Sequence, residues 1–150
     1  MFLRRVSSGG TLSPKIATLS KATQIEIVES GLTGEIPVEL YTMTNLKQFE
    51  VYGNKLTGGI APEIGNMTNI ETFWVDRNQL TGTLPATMGK LTKLKSLKVD
   101  NNQLTGKIPA ELANCPLDGV FVDFTKNNFS KELAPALKAH KTFDKWKLDK

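Results

Sequence analysis

Two side chains of this sequence could do covalent or acid–base chemistry, the single cysteine, Cys115, and the single histidine, His140. A nucleophile needs a base within hydrogen-bond reach, and the base needs a group that orients it. No such constellation accompanies His140 at a recognisable spacing, and the sequence has no P-loop, CxxC pair or dinucleotide-binding fingerprint. We therefore expect no enzyme activity, no cofactor and no metal site, and we expect His140 to face solvent. A single cysteine also excludes an internal disulfide.

The element that must position every other side chain is a repeat, most regular in the stretch LKSLKVDNNQLTGKIPAEL from Leu94 to Leu112. The same order of apolar residues, Asn, Gly and Pro begins 24 residues earlier at Ile70, and another 24 residues earlier at Leu46. A fixed period of this length indicates stacked units that share one core. Counted by the period, Cys115 is predicted to be a small core residue, because it takes the place of Met43, Met67 and Leu91.

The repeat divides the chain into one domain and two short ends. Full repeats begin at residues 22, 46, 70, 94 and 119, and a half-repeat covers residues 10–21, so the predicted repeat domain spans residues 10–140. The last repeat is degenerate, with Lys131 where the others have Gly. Residues 1–9 are predicted to be a flexible basic N-terminus. Residues 141–150 are predicted to be either a cap over the last repeat or a tail that docks on an acidic partner.

Each part of a repeat predicts a local structure. The alternation of Leu97 and Val99 is typical of a strand with one buried face. Asn102 should turn inward and bond backbone groups of the neighbouring turn, since a buried amide must be satisfied. Gly106 allows the chain to bend, and Pro109 stops strand or helix from continuing. The spacing from Leu112 to Cys115 then fits one helical turn.

The pattern LxxLxLxxNxLxGxIPxxL, with LTGEIP, LTGTLP and LTGKIP among its copies, resembles the plant-type leucine-rich repeat family. The resemblance implies an α/β solenoid, a short right-handed horseshoe with a parallel concave β-sheet and short helical or irregular convex segments. It also implies that the variable strand residues face a partner on the concave side. Secreted members commonly carry paired cysteines in their caps, which this sequence lacks, and no kinase or transmembrane segment is present, so the chain is not expected to be a whole receptor.

Charge and hydropathy bear on the partner and the compartment. The net charge of +4 comes from the ends, because residues 1–25 carry +4, residues 26–130 carry −3 and residues 131–150 carry +3. A nucleic-acid groove along the repeats would need a basic face, so nucleic acid is not expected as a partner. No stretch matches a secretory signal or a membrane span. The Arg- and Ser-rich N-terminus weakly resembles a transit segment, so a soluble cytoplasmic or organellar protein is expected rather than an extracellular one.

The variable strand positions are the candidate binding residues. Tyr52 and Trp74 are large aromatic residues where the pattern asks for no apolar side chain, and Arg77 stands close by; such residues supply much of the binding energy at protein interfaces. The predicted concave-face site consists of Glu26, Glu50, Tyr52, Trp74, Arg77, Lys98, Asp100, Phe121 and Asp123. Acidic residues lie toward its N-terminal side and basic residues toward its C-terminal side, which would orient a partner of matching polarity.

The predicted function is protein–protein interaction without catalysis, through the concave face and the basic termini. Five strands about 4.8 Å apart and roughly 17 Å long give a face of about 350 Å². A standard interface needs about 800 Å² per partner, so the face suits a peptide or loop unless the partner also grips the edges. Two alternatives stay open. One is a structural subunit of a larger, possibly organellar complex. The other is a receptor-like or inhibitor-like recognition fragment of a longer repeat protein.

Overall fold

The computed structural model describes residues 2–4 and 9–149. Its strands are short, and four of the five full repeats contribute two strands each. Within the described residues they are Phe2–Arg4 (β1), Gly10–Thr11 (β2), Gln24–Glu26 (β3), Leu32–Glu35 (β4), Gln48–Glu50 (β5), Lys55–Thr57 (β6), Thr72–Trp74 (β7), Ser96–Lys98 (β8), Thr105–Gly106 (β9), Val122–Asp123 (β10) and Asn128–Phe129 (β11).

One parallel sheet runs the length of the molecule in the order β1-β3-β5-β7-β8-β10. The register is constant, so that Phe49 lies beside Phe73 and Phe73 beside Leu97 on neighbouring strands. These inward side chains are fully buried, and the rings of Phe49 and Phe73 stack with centroids 5.5 Å apart. The predicted parallel sheet is therefore confirmed, and the period-2 alternation identified its buried face correctly.

The sheet has one strand beyond the five that the repeats predicted. Strand β1 pairs with β3 in parallel and lies inside the segment predicted to be a flexible N-terminus. The remainder of that prediction, residues 1 and 5–8, lies outside the described residues. The predicted half-repeat at residues 10–21 is thus preceded by a strand of the long sheet.

A ladder of buried asparagines ties the repeats together after each strand. Asn78 Nδ2 donates to the carbonyl oxygens of Val51 and Val75, and its Oδ1 accepts from the backbone amide of Leu56 at 3.0 Å. Asn54 and Asn102 make the equivalent bonds in their repeats. Both ends of each amide are satisfied by backbone groups of adjoining turns, as the sequence predicted.

The glycines of the Leu-Thr-Gly segments turn the chain away from the sheet, and Gly106 has a left-handed φ of +77°. A Cβ atom there would lie 2.8 Å from the Thr83 side chain, so the position needs glycine for space as well as for conformation. The flanking residues form two further parallel sheets, β2-β4-β6 and β9-β11, on the opposite side of the core. The sequence predicts a bend here and does not predict these strands.

The second half of each repeat contains one short helical turn, as predicted. These turns are 3₁₀ helices at Pro14–Thr18, Val38–Thr42, Pro62–Asn66, Ala86–Lys90 and Ala110–Asn114. The last repeat has a short α-helix instead, Pro135–Lys138, here α1. The core lies between the helical turns and the long sheet. Cys115 is 1% exposed there, and burial raises the pKa of its thiol to about 11.

The C-terminal segment packs against the end of the sheet and includes a 3₁₀ helix at Phe143–Lys145. The Trp146 ring lies 5.9 Å from that of Phe124 and is only 7% exposed. The backbone amide of Lys147 donates to the Val122 carbonyl, and the amide of Phe124 donates to the Lys147 carbonyl. These contacts favour a cap over the last repeat, while the division of the chain at residue 141 stays a prediction.

The expectation that His140 faces solvent is wrong. Its Nε2 lies 3.0 Å from the Cys115 carbonyl oxygen, and its ring packs 5.2 Å from the Trp146 ring. Its Nδ1 accepts a hydrogen bond from the Thr142 backbone amide. The histidine is half-buried between the last repeat and the C-terminal segment because that segment folds back, which the repeat pattern does not encode.

Candidate functional site

The predicted aromatic residues meet on the outer face of the long sheet. The Trp74 ring lies between those of Tyr52 and Phe121, with centroid distances of 6.0 Å and 5.9 Å. Phe121 is 44% exposed, and Tyr52 and Trp74 are half-buried. Residues far apart in sequence become neighbours because the parallel register aligns their strands: β5 adjoins β7, and only β8 lies between β7 and β10. We call Tyr52, Trp74 and Phe121 the aromatic strip.

Two cations lie over this strip. The Lys98 ammonium is 4.3 Å from the Trp74 ring centroid and 5.3 Å from that of Phe121. The Arg77 guanidinium is 5.1 Å from the Tyr52 ring centroid. Each distance is within the range of a cation–π attraction, worth about 0.5–1 kcal/mol at an exposed site. The aromatic and basic residues of the predicted site therefore form one contiguous surface.

The backbone at Arg77 explains how its side chain reaches that surface. Arg77 has a left-handed φ of +52°, and the equivalent residues Glu29, Gly53, Asn101 and Lys126 all have positive φ. Each of these residues lies three positions after the last residue of its strand, where the chain leaves the long sheet. Non-glycine residues adopt this conformation uncommonly, and here four of the five equivalent positions do so. Their side chains thus lie beside the strip at a regular spacing.

The Trp74 ring is fixed by a residue that was not among the predicted site residues. Its indole Nε1–H donates to Ser96 Oγ on the next strand, at 2.7 Å. Ser96 is buried, 6% exposed, and its own hydroxyl lies 3.4 Å from the Phe121 carbonyl oxygen. No signal in the sequence singles out this role, because the contact depends on how the two strands align.

The carboxylates of the face are shifted toward their neutral forms. Burial, together with the neighbouring Asp100, raises the pKa of Asp76 from 3.8 to about 6. Burial and the Asp123 carboxylate raise the pKa of Asp100, although a hydrogen bond from Asn101 opposes this. Burial and Glu26 likewise raise the pKa of Glu50. Burial is the largest cause of each shift, and the neighbouring carboxylates add to it.

The remaining predicted residues frame the site. Glu26 and Glu50 lie side by side on β3 and β5. Asp123 is 9% exposed and pairs with the Lys147 ammonium at 3.4 Å. Lys147 and Asp76 were not among the predicted site residues. Lys147 depends on the folding of the C-terminal segment, whereas Asp76 occupies the same strand column as Asp100 and could have been chosen with it.

Two shallow concavities flank Trp74. One of about 360 Å³ is lined by Tyr52, Trp74, Asp76, Arg77, Lys98, Asp100, Asp123 and Lys147. The other, of about 540 Å³, lies toward the other ends of the strands and includes Gln48, Glu50, Trp74, Ser96 and Phe121. Seven of the nine predicted site residues, all except Glu26 and Glu50, line the first concavity or belong to the aromatic strip.

This surface carries no cluster of metal ligands in the part of the chain that the structure describes. No group of three His, Cys, Asp or Glu residues there could hold a metal ion. Among the same residues, no helix has the length and apolar character needed to cross a bilayer. What the face offers is shape, aromatic area and charge, which are means of recognition.

Comparisons with known proteins agree with this architecture. The family model described as Leucine Rich Repeat matches residues 45–67 and 93–115. No curated protein matches the sequence significantly. Among solved structures, a TDR receptor is 31% identical, with a TM-score of 0.82 over 89% of this chain and 23% of the receptor chain.

Two complexes of plant receptors are similar. PEPR1–AtPEP1 is 29% identical over 95% of this chain and 20% of that one, with a TM-score of 0.81. The plant peptide hormone receptor RGFR1 in complex with RGF2 is 26% identical over 94% and 23%, with a TM-score of 0.83. This chain thus spans about a fifth of their length. The repeat sequence, the solenoid and these likenesses together identify the chain as a member of the plant-type leucine-rich repeat family.

Proposed function

We propose that this chain is a non-catalytic recognition module that binds an extended peptide, or an extended segment of a protein, across the aromatic strip. The observation that carries the proposal is the strip itself, in which three aromatic rings and two cations form one surface across strands β5 to β10. Half-exposed aromatic and arginine side chains are the residues that most often dominate binding energy.

The size of the face favours an extended ligand. Six strands about 4.8 Å apart and roughly 17 Å long give a face of about 400 Å². That is about half of what one side of a standard protein interface buries. An extended segment is limited less by this small area than a globular partner, because it needs only a strip of surface and can cross several strands. The plant peptide hormone receptor RGFR1 in complex with RGF2 gives a precedent for a solenoid of this kind with a bound partner.

The similar solved structures bear on the compartment in which such a module would work. The similar solved structures include receptor ectodomains from Arabidopsis thaliana, so they do not favour the cytoplasmic or organellar expectation. The two alternatives, a subunit of a larger complex and a recognition fragment of a longer repeat protein, both use the same face. They differ in the partner and not in the site.

The test is a selection of random peptides displayed on phage, with the full chain as bait. Selected peptides are resynthesised and titrated against the wild type and against Trp74→Ala and Tyr52→Ala. We expect each variant to weaken binding by about tenfold or more, the loss of one central aromatic contact. Val38→Ala is the matched control, because Val38 is an exposed apolar residue, 48% accessible, on a 3₁₀ helix of the opposite side.

The control should change the affinity by less than about twofold. Both aromatic variants should keep the wild-type melting temperature within about 3 °C, since these side chains lie outside the core. If the selected peptides bind the wild type and the two aromatic variants equally well, the aromatic strip is not the binding surface and the proposed function is wrong.

A further inference from the structure

The acidic residues beside the aromatic strip have a feature that the proposed function does not use. Asp76 has a side chain that is only 10% exposed, and its Oδ1 has no hydrogen-bond partner among the described residues. Its other oxygen, Oδ2, lies 3.4 Å from Arg77 Nε. A buried polar atom without a partner costs roughly 1–3 kcal/mol, so its presence on a binding face points to a missing donor.

Asp100 is the neighbour of Asp76 on the next strand in the same column, and both line the 360 Å³ concavity. Asp100 Oδ2 accepts a hydrogen bond from Asn101 Nδ2 at 2.6 Å, which holds its carboxylate in place. Equivalent positions on adjoining strands are about 4.8 Å apart. The two carboxylates therefore form a pair with the spacing of one strand, open to the concavity.

The three cations nearest to this pair, Arg77, Lys98 and Lys147, each contact other groups as well. Arg77 is shared among Glu29 at 3.3 Å, Asp76 and the Tyr52 ring. Lys98 lies over the Trp74 and Phe121 rings, and Lys147 pairs with Asp123. Asp76 and Asp100 thus have one cation in contact among the described residues, Arg77, which also pairs with Glu29, so the negative charge of the pair is only partly compensated.

We propose that Asp76 and Asp100 form a subsite for the guanidinium group of an arginine in the bound peptide. The inference rests on the proposed function and names the chemistry of its ligand. A guanidinium is planar and donates in two directions, so it can bridge carboxylates on adjoining strands, which a point-like ammonium does less well. Rotation of the Asp76 carboxylate about its Cβ–Cγ bond exchanges its two oxygens, so the missing bond can be supplied from the concavity.

The position of the aromatic strip specifies the residue next to that arginine. Trp74 lines both concavities, so a chain that places its arginine in one of them passes over the indole ring. An apolar side chain beside the arginine would then cover the exposed edge of Trp74 and Phe121. The expected ligand is an extended segment in which an arginine adjoins an apolar residue.

The experiment uses three capped peptides, acetyl-Gly-Leu-Arg-Leu-Gly-amide and its analogues with citrulline or glutamate in place of the arginine. Citrulline has the shape of arginine without its charge. Each peptide is titrated into the full chain, and binding is followed by NMR at the Trp74 indole and the amides of Asp76 and Asp100. We expect the arginine peptide to bind about tenfold more tightly than the citrulline peptide, and the glutamate peptide to bind more weakly still.

Variants of the chain separate the subsite from general attraction. Asp100→Asn should weaken the arginine peptide about fivefold or more and leave the citrulline peptide within about twofold. Glu39→Gln is the matched control, because it removes one exposed carboxylate from the 3₁₀ helix Val38–Thr42 on the opposite side. It should leave all three affinities unchanged. Asp76→Asn should act as Asp100→Asn does.

Three outcomes would overturn the subsite. One is equal binding of the arginine and citrulline peptides, another is equal weakening of both by Asp100→Asn, and the third is no shift with the arginine peptide up to about 5 mM. The proposed function is tested separately by the peptides from phage selection. If these depend on Trp74 while replacement of their arginines by citrulline has no effect, the arginine subsite alone is wrong. If they bind independently of Trp74, the proposed function is wrong as well.

Discussion

At the scale of single residues, the positions that make the sequence recognisable are different from those that make a binding face. Asn78, Gly106 and the buried leucines build the solenoid, and each is fully used by backbone or core contacts. The residues between them carry the aromatic strip and the carboxylate column. Asp76 is the clearest case, since it is buried, charged and incompletely hydrogen-bonded. Such a residue lowers the stability of the fold, which is consistent with a role in binding.

Replacing that aspartate should stabilise the free protein. The pKa of Asp76 in the fold is about 6, above its ordinary value of 3.8, so the folded state keeps a proton that the unfolded state has lost in this range. The contribution of Asp76 to stability therefore falls as the pH rises from about 4 to about 6. The difference corresponds to at most about 3 kcal/mol, and Asp76→Asn should recover about 1–2 kcal/mol at about pH 7.5.

Urea unfolding of the wild type and Asp76→Asn, at about pH 4 and about pH 7.5, measures the effect. The advantage of the variant should shrink toward about pH 4, where Asp76 is protonated in the folded state and about half protonated in the unfolded state. Glu39→Gln, which removes an exposed carboxylate from the opposite side, should show no such pH dependence. A variant less stable than the wild type at the higher pH would mean that the ion pair with Arg77 outweighs the cost of burial.

At the scale of elements, the C-terminal segment closes the last repeat. Its central side chain is Trp146, which packs on Phe124, on Phe143 at 5.4 Å and on His140, and whose indole N–H donates to Thr142 Oγ1 at 3.2 Å. An end repeat of a solenoid has an exposed core face, and covering it is a requirement for solubility and stability. The Phe124 ring is buried by this contact.

Trp146→Ala should therefore destabilise the protein by about 2–4 kcal/mol, because it opens a cavity beside Phe124. Thermal and urea unfolding measure the change. Phe121→Ala serves as the control, because Phe121 is an aromatic residue of the same last repeat with 44% of its surface exposed. That control should cost less than about 1 kcal/mol. If the two variants were equally stable, the C-terminal segment would be a mobile tail rather than a cap.

The elements also mark how far the sequence alone could lead. The strands, the inward asparagines, the bends at glycine and the helical turns follow from periodicity, because each repeat carries the same local information. Strands β2, β4 and β6 do not, since they depend on how neighbouring bends align. His140 and Lys147 were missed because their positions depend on the folded-back C-terminal segment. Tyr52, Trp74 and Phe121 were found because they depart from the pattern, whereas Ser96 and the unpaired oxygen of Asp76 required coordinates.

At the scale of the whole molecule, the contacts of each repeat are almost all with its two neighbours. The long sheet continues from Ile27, whose amide donates to Glu50, through Val51 and Val75 to Phe124, whose amide donates to Lys147. Stability in such a chain is approximately a sum of repeat and neighbour terms. The central repeats have a neighbour on both sides, and Tyr52, Trp74 and Asp76 of the proposed binding face lie on them. This part of the proposed face is thus built on the repeats expected to open least, whereas Phe121 lies in the end repeat.

Amide hydrogen exchange followed by NMR should reveal this gradient. The amides of Val51 and Val75, in the middle of the long sheet, should exchange at least about tenfold more slowly than those of Gly9 and Phe124, near the two ends of the solenoid, because end repeats can open alone. Trp146→Ala should speed exchange at Phe124 most, at Val75 less and at Ile27 least. Equal acceleration at all these amides would show that the solenoid opens only as one unit, and that the C-terminal cap stabilises the binding face as much as the repeat it covers.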